Sequence, residues 1–274
     1  MNSREWFYDD DFWKHYAPII FDENRMAEAG EAADAVTRLA RLDLYDIDTK
    51  KPSANNNIRR INKKSAAPRI LDLCCGPGRM SLEFARRGFN VTAVDISTTY
   101  LETARRNALN DKLGIEFIQK DIRVFKRKAA FDVAVNLYNS FGYFEDPSND
   151  LLCAKNAFYS LKEGGAFIIE VLGKEIAVRD YISAEWFERA GFLVLTESEP
   201  VDSWASIWNR WIIIKNGQRR EKIFIQRLYA ASELRRLLLD AGFTAVELYG
   251  SWDEAVYDCN AKTLIAVGRK GSSS

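Results

Sequence analysis

From residue 69 onward the chain alternates short apolar runs with helical segments, and this alternation limits the fold more than any other feature. RILDL (69–73), NVTAVDI (90–96), IEFIQKD (115–121), FDVAVNLY (131–138) and AFIIEVL (166–172) read as strands, with MSLEFARRG, TTYLETARRNALND and LLCAKNAFYSLKEGG as the helices among them. Strands joined through helices pair in parallel, and helices then cover both faces of the sheet. Each run is nearly continuous in Val, Ile, Leu and Phe, as burial on both faces requires. Gly88 stands where the first helix should stop. ELRRLLLDAG, capped at Ser232 and ended at Gly242, leads to two last strands, FTAVELYG and KTLIAVGRK.

Two regions depart from this pattern. Residues 1–45 read as an N-terminal helical cap, because DENRMAEAGEAADAVTRLARL, with its start capped at Asp22, sets Ala29, Ala33, Val36, Leu39 and Ala40 near one face. Residues 46–68 have few large apolar side chains, a run of asparagines and a basic cluster, the composition of a linker. Within 173–230, FLVLTESEP, SWASIWNRWIIIKNGQ and EKIFIQRLYA are strand-like without intervening helices, and Asn216-Gly217 is a hairpin pair. This predicts an antiparallel extension inserted into a core of 69–172 and 231–270. On a strand, Trp204 and Trp208 would share a face and Trp211 would take the other.

Composition excludes several partners. With 274 residues and 47% apolar content the chain can bury a full core. Thirty-nine basic residues balance thirty-nine acidic ones, so no net field draws the chain to a phosphate backbone, and no nucleic-acid partner is expected. Cys74, Cys75, Cys153 and Cys259 show neither a disulfide framework nor a CxxC pair, and His15 is the single histidine. Reduced thiols, a cytoplasmic location and no metal site are expected. The acidic, aromatic start MNSREWFYDDDFW and the lack of any 18-residue apolar run predict no targeting segment and no membrane partner.

The stretch ILDLCCGPGR (70–79) carries the chemistry. A glycine-bearing turn at the carboxyl edge of a parallel sheet lets the backbone approach a ligand closely. Asp72, Asp95 and Asp121 fall at or near the ends of three successive strands, 23 and 26 residues apart. An acid at the tip of the second strand suits two ribose hydroxyls, and one at the third suits the exocyclic amine of adenine. Together they outline a nucleoside lying across three strand ends. A nicotinamide dinucleotide would want GxGxxG, where this chain has Ser81 in GPGRMS.

ILDLCCGPGRMSLEFARRGFNVTAVDIS, FIQKDIRVF, FDVAVNLYNSFGYF and LKEGGAFIIEV resemble the successive motifs of class I S-adenosylmethionine-dependent methyltransferases. The resemblance implies a Rossmann-like, seven-stranded, mostly parallel sheet whose last strand runs antiparallel. It implies S-adenosylmethionine held at Gly76 and Gly78, with Asp72 near the methionine amine, Asp95 on the ribose, Asp121 and Ile122 at the adenine, and Ile96 on the adenine face. Cys74 replaces the first glycine of the family pattern and would sit at the methionine pocket. FYDDDFWKHYAPIIF resembles the aromatic helix that bacterial small-molecule methyltransferases fold over the cofactor, which brings in Tyr16.

Methyl transfer from a sulfonium is a one-step displacement, so the protein mainly aligns the nucleophile and excludes water. Asn136, Tyr138, Asn139 and Tyr143 follow the fourth strand, where the family orients its acceptor, and Glu170 ends the fifth, placed to take a proton or pair with a cation. NLYNSFGYF lacks the Asn-Pro-Pro-Tyr pattern that grips planar amino groups, which lowers nucleic-acid substrates. The expected acceptor is a small metabolite methylated on O or N. Trp186, Trp208 and Arg210 in the extension are candidates to line its pocket, and exposed tryptophans there would mark a homodimer face. The competing readings are an RNA or protein methyltransferase using the basic residues 58–64, and a non-catalytic cofactor-binding scaffold.

Overall fold

The computed structural model describes residues 5–22, 26–42 and 66–271; the expected linker and its basic cluster fall almost wholly outside them, as does the helix start after Asp22. A short 3-10 turn over Trp6–Tyr8 precedes α1 (Asp10–Ile20), which is capped by the Asp9 carboxylate accepting from Asp11 and Phe12 N–H. Then come α2 (Ala29–Leu39), β1 (Arg69–Leu73), α3 (Arg79–Arg86), β2 (Asn90–Asp95), α4 (Thr98–Asn110), β3 (Ile115–Gln119) and β4 (Phe131–Asn136). After α5 (Ser148–Ser160), β5 (Leu161–Val171) and α6 (Lys174–Arg179) come β6 (Ala184–Arg189), β7 (Phe192–Val201), β8 (Ser206–Lys215) and β9 (Gln218–Arg227). The chain closes with α7 (Ala231–Asp240), β10 (Ala245–Tyr249) and β11 (Leu264–Arg269).

The main sheet has the order β3-β2-β1-β4-β5-β11-β10, with β11 antiparallel to both of its neighbours. Strand order reverses between β1 and β4, the place where such sheets open a crevice beyond their carboxyl ends. Alternate strand residues serve opposite faces: Leu71, Phe131 and Phe167, with Leu234 of α7, build one core, and Ile70 and Ile168, with Val36 of α2 and Phe84 of α3, the other. The expected apolar stripe of α2 is buried at Ala29, Ala33, Val36 and Leu39, all on that second face.

The second sheet, β6-β7-β8-β9, is antiparallel throughout. Its β8–β9 turn is the Asn216-Gly217 pair, both with positive φ, as a two-residue hairpin requires. Helix α1 docks on one face of this sheet, packing Phe12, Tyr16 and Ile19 against Val194 and Ile213. The N-terminal segment thus belongs as much to the insert as to the core.

Four details differ from the sequence reading. Strand β6 is an addition to it. Trp204 lies in the turn between β7 and β8, where Asp202, Ser203 and Trp204 all have positive φ, so it shares no strand face with Trp208. Helix α5 stops at Ser160 and not in the LKEGG run, because Leu161 is fully buried and pairs with Phe131. Ala230, not Ser232, stands at the start of α7, and its N–H is satisfied by the Glu233 carboxylate at 2.9 Å. Ile213→Ala is expected to lower the unfolding free energy by about 2–5 kcal/mol in urea titrations; a loss below about 1 kcal/mol would show that the site collapses around the void.

Candidate active site

At the carboxyl ends of β2, β1, β4 and β5 lies a cavity of about 390 Å³. Asp72, Cys74, Gly76, Asp95, Ile96, Asp121, Ile122, Tyr138, Asn139, Tyr143 and Glu170 all line it. Phe7, Trp13, Ile20 and Phe21 of the N-terminal segment also line it, next to Tyr100 of α4.

Asp95 organises the turn. One carboxylate oxygen accepts the Gly76 N–H at 2.7 Å and the other the Ser97 N–H at 2.8 Å, so the tip of β2 is tied to the turn after β1. Burial pushes its carboxyl up against these stabilising donors. The Ile96 N–H also stabilises it, and the residue is 8% exposed. Gly76 has φ +54° and a Cβ there would lie 3.2 Å from the Phe21 ring, so the backbone faces the cavity bare. Gly78 is different: its Cβ would press on Ala104 at 3.0 Å, and it does not line the cavity. Its glycine serves the packing of α3 on α4. Cys74 holds φ +59°, a left-handed backbone that costs a side-chain-bearing residue roughly 1–2 kcal/mol, which explains why a glycine suits this position.

Asp72 is nearly inaccessible, accepts from Ser81 Oγ at 2.5 Å and is pushed up to about 7 by burial, with the Asp95 charge adding to it. Asp121 is engaged on both oxygens: Tyr8 Oη donates at 2.7 Å, Arg123 Nη2 at 2.7 Å, and the Arg123 N–H at 2.7 Å. Arg123 also pairs with Glu5 at 2.7 Å. The acid expected at the adenine amine therefore latches the N-terminal segment in this structure.

Tyr138 and Asn139 take consecutive positive φ values of 56° and 63°. That strained bend aims the Tyr138 N–H at Glu170 Oε2, at 2.6 Å, while Thr263 Oγ1 donates to Oε1 at 2.6 Å. Burial raises the Glu170 carboxyl. Asn139 is used internally: its Oδ1 accepts from the Leu172 N–H, and its Nδ2 donates to Gln226. Asn136 is wholly buried behind the cavity, with Nδ2 on the Leu73 carbonyl. Neither asparagine offers its side chain to a reacting atom.

The other sequence candidates stand apart from the cavity. Tyr16 packs under the second sheet and donates to the Trp211 carbonyl at 3.0 Å, with its phenol raised to about 12 by burial. Trp186 is 69% exposed on β6, Trp208 lies on β8, and Arg210 is held between Glu197 and Glu221. None of the three lines the cavity. The sequence reading misses Arg79, Phe21, Tyr100 and Thr263. Arg79 had a signal, since a cation in the first turn of a helix opposes the helix dipole and calls for another reason; Thr263, in a loop far along the chain, had none.

With this geometry in place, comparisons with known proteins set the chain beside known methyltransferases. Residues 70–165 match the model of a methyltransferase domain family. The chain thus carries a methyltransferase domain, consistent with an S-adenosylmethionine-dependent enzyme of class I. A Geobacillus sp. protein bearing a methyltransferase name is 23% identical over 215 residues, which are 76% of this chain and 86% of that protein. Other curated relatives match over about half of their own length. Among solved structures, the CcbJ methyltransferase from Streptomyces caelestis superposes with a TM-score of 0.76 at 18% identity, covering 99% of this chain and all of that one. The sugar N-methyltransferase KedS8 from Streptoalloteichus sp. gives 0.64 at 17% identity, covering 99% and 96%. These likenesses support the fold, and the family supplies the cofactor, S-adenosylmethionine.

Because the carboxyl of Asp72 is raised in the fold, it favours the folded state fully only below its unfolded value of 3.8, and that contribution is lost as pH rises through about 7. In the ligand-free protein, the stability advantage of Asp72→Asn over wild type should therefore grow by a few kcal/mol between pH 4 and 8. Denaturant unfolding of both proteins across that range checks it; an advantage constant with pH would contradict it.

Proposed function

We propose that the protein transfers the methyl group of S-adenosylmethionine to an O or N atom of a small-molecule acceptor. The observation that carries this reading is the lining of the cavity: aromatic side chains from the N-terminal segment meet the acid-bearing strand ends around about 390 Å³, a size that suits a metabolite. The structural neighbour KedS8 is a sugar N-methyltransferase, which supports a small acceptor.

The residues present fit the cofactor. Asp95 would hold the ribose hydroxyls with the remaining acceptor capacity of its carboxylate, Asp72 the methionine ammonium, and Gly76 would admit the tail against bare backbone. Ile96 and Ile122 would flank the adenine; Asp121 would reach its amine only if Tyr8 or Arg123 released an oxygen. When bound, S-adenosylmethionine supplies an electrophilic methyl on a sulfonium whose departure leaves a neutral thioether. The chain's own part is to align the acceptor and keep water out, work in which Phe7, Trp13, Phe21 and Tyr143 form the walls. Tyr143 is a poor proton donor there, because burial pushes its phenol far up.

Asp95→Ala should weaken S-adenosylhomocysteine binding by about 10–100-fold in calorimetry, the loss of charged hydrogen bonds, while Tyr16→Phe leaves it within about twofold. Unchanged affinity in Asp95→Ala would refute the ribose assignment. Methyl-labelled S-adenosylmethionine added to a bacterial extract should label the small-molecule fraction; label confined to protein or RNA would refute the acceptor class.

A further inference from the structure

We propose that the β5 end of the cavity is the acceptor subsite, and that it takes a primary or secondary amine held and relieved of a proton by Glu170. The proposal rests on the small-molecule methyltransferase reading and names its nucleophile. Asp95 ends β2 and Glu170 lies near the end of β5, with β1 and β4 between them. Three strand spacings of about 4.8 Å separate the two acids by roughly 14 Å. Glu170 thus lies past Asp72, beyond the stretch assigned to the cofactor's ribose and tail.

Its surroundings call for a cationic partner. Thr263 and the Tyr138 N–H fix both oxygens, and the Asn139 N–H adds a third neutral donor, but none of the three brings positive charge. Among the described residues no cation comes within 4.0 Å of Glu170. A carboxylate withdrawn from water is costly unless positive charge or further donors meet it. Arg79 supplies only part of that charge: its field lowers the Glu170 carboxyl, but its guanidinium stacks 3.5 Å over the Tyr138 ring and pairs with Glu28 at 3.2 Å. An ammonium brings positive charge together with its N–H donors, where a hydroxyl brings one neutral donor.

A second observation marks the same end as a ligand site. Arg79 is only 5% exposed and its Nε has no partner, and the buried hydroxyl of Tyr138 has none either. Both residues line the cavity. One offers a donor and the other a donor or acceptor, which suits an amine carried on an oxygenated body.

The step balances without another reactant. An ammonium arriving at Glu170 passes one proton to a carboxylate oxygen: an N–H bond breaks, an O–H bond forms, and the nitrogen recovers its lone pair. That pair forms the N–CH3 bond as the C–S bond breaks, its electrons staying on sulfur. Burial of Glu170 raises its carboxyl and makes it a better proton acceptor than an ordinary glutamate.

Glu170→Gln tests the proposal and preserves the local bonds, since its oxygen can accept from the Tyr138 N–H and its amide can donate to Thr263. Wild-type protein is given methyl-labelled S-adenosylmethionine and a small-molecule bacterial extract, and the labelled carbon is assigned by NMR. An N-methyl product is expected. Glu170→Gln should lower its formation at least about 100-fold while S-adenosylhomocysteine affinity stays within about threefold. Thr263→Val, which keeps the carboxylate, should cost less than about tenfold. An O-methyl product, full turnover by Glu170→Gln, or a parallel loss of nucleoside affinity would each overturn the proposal, the last by assigning Glu170 to the cofactor. Labelling of macromolecules alone would instead overturn the small-molecule reading beneath it.

Discussion

A single carboxylate holds the site's geometry. Asp95 takes one backbone N–H from the turn after β1 and another from the start of α4, so two crossovers of the parallel sheet meet at its oxygens. A charge-assisted bond to a backbone donor is about twice as strong as a neutral one. This pair fixes the bend at Gly76 in the position where its bare backbone faces the cavity, and Asp95 lines the same cavity. The carboxylate that holds the scaffold is the one proposed to meet the ribose.

The cavity roof is built by segments remote in sequence. Tyr8 reaches Asp121, Asp10 accepts from Ser97 Oγ, and Tyr100 donates to the Trp13 carbonyl, which binds the N-terminal segment to the core. Toward the insert, Lys222 pairs with Asp9 at 2.6 Å and Tyr16 donates to Trp211. The Trp6 ring sits between Tyr143 of the post-β4 loop and Phe224 of β9, at 4.8 Å from each. Aromatic pairs of this kind add roughly 0.5–1.5 kcal/mol each beyond their buried area.

The parallel core, the glycine bend and the placing of the three acids at the cavity could be read from the sequence, because each depends on local pattern: strand burial, positive φ, and carboxylates at strand tips. Asp121 shows where such reading stops. Its spacing matched the motif, but its partners Tyr8 and Arg123 are set by how an N-terminal turn docks more than a hundred residues away. Trp204 was misplaced for a related reason, since its left-handed turn is imposed by the β7–β8 connection and not by its own propensity. Tryptophan enrichment in the insert invited a pocket there, whereas Trp211 helps seat α1 and Trp186 faces solvent.

Helix α1 has consequences for how such a protein could be altered. Since it is wedged between the small sheet and the nucleoside crevice, the two sheets are not independent modules. Any chimera that grafts a foreign β6–β9 to change the acceptor also replaces the seat of Phe12, Tyr16 and Ile19, and would let the crevice cover drift. Recombination that keeps residues 5–22 together with 184–227 as one inherited unit is the cut this architecture tolerates.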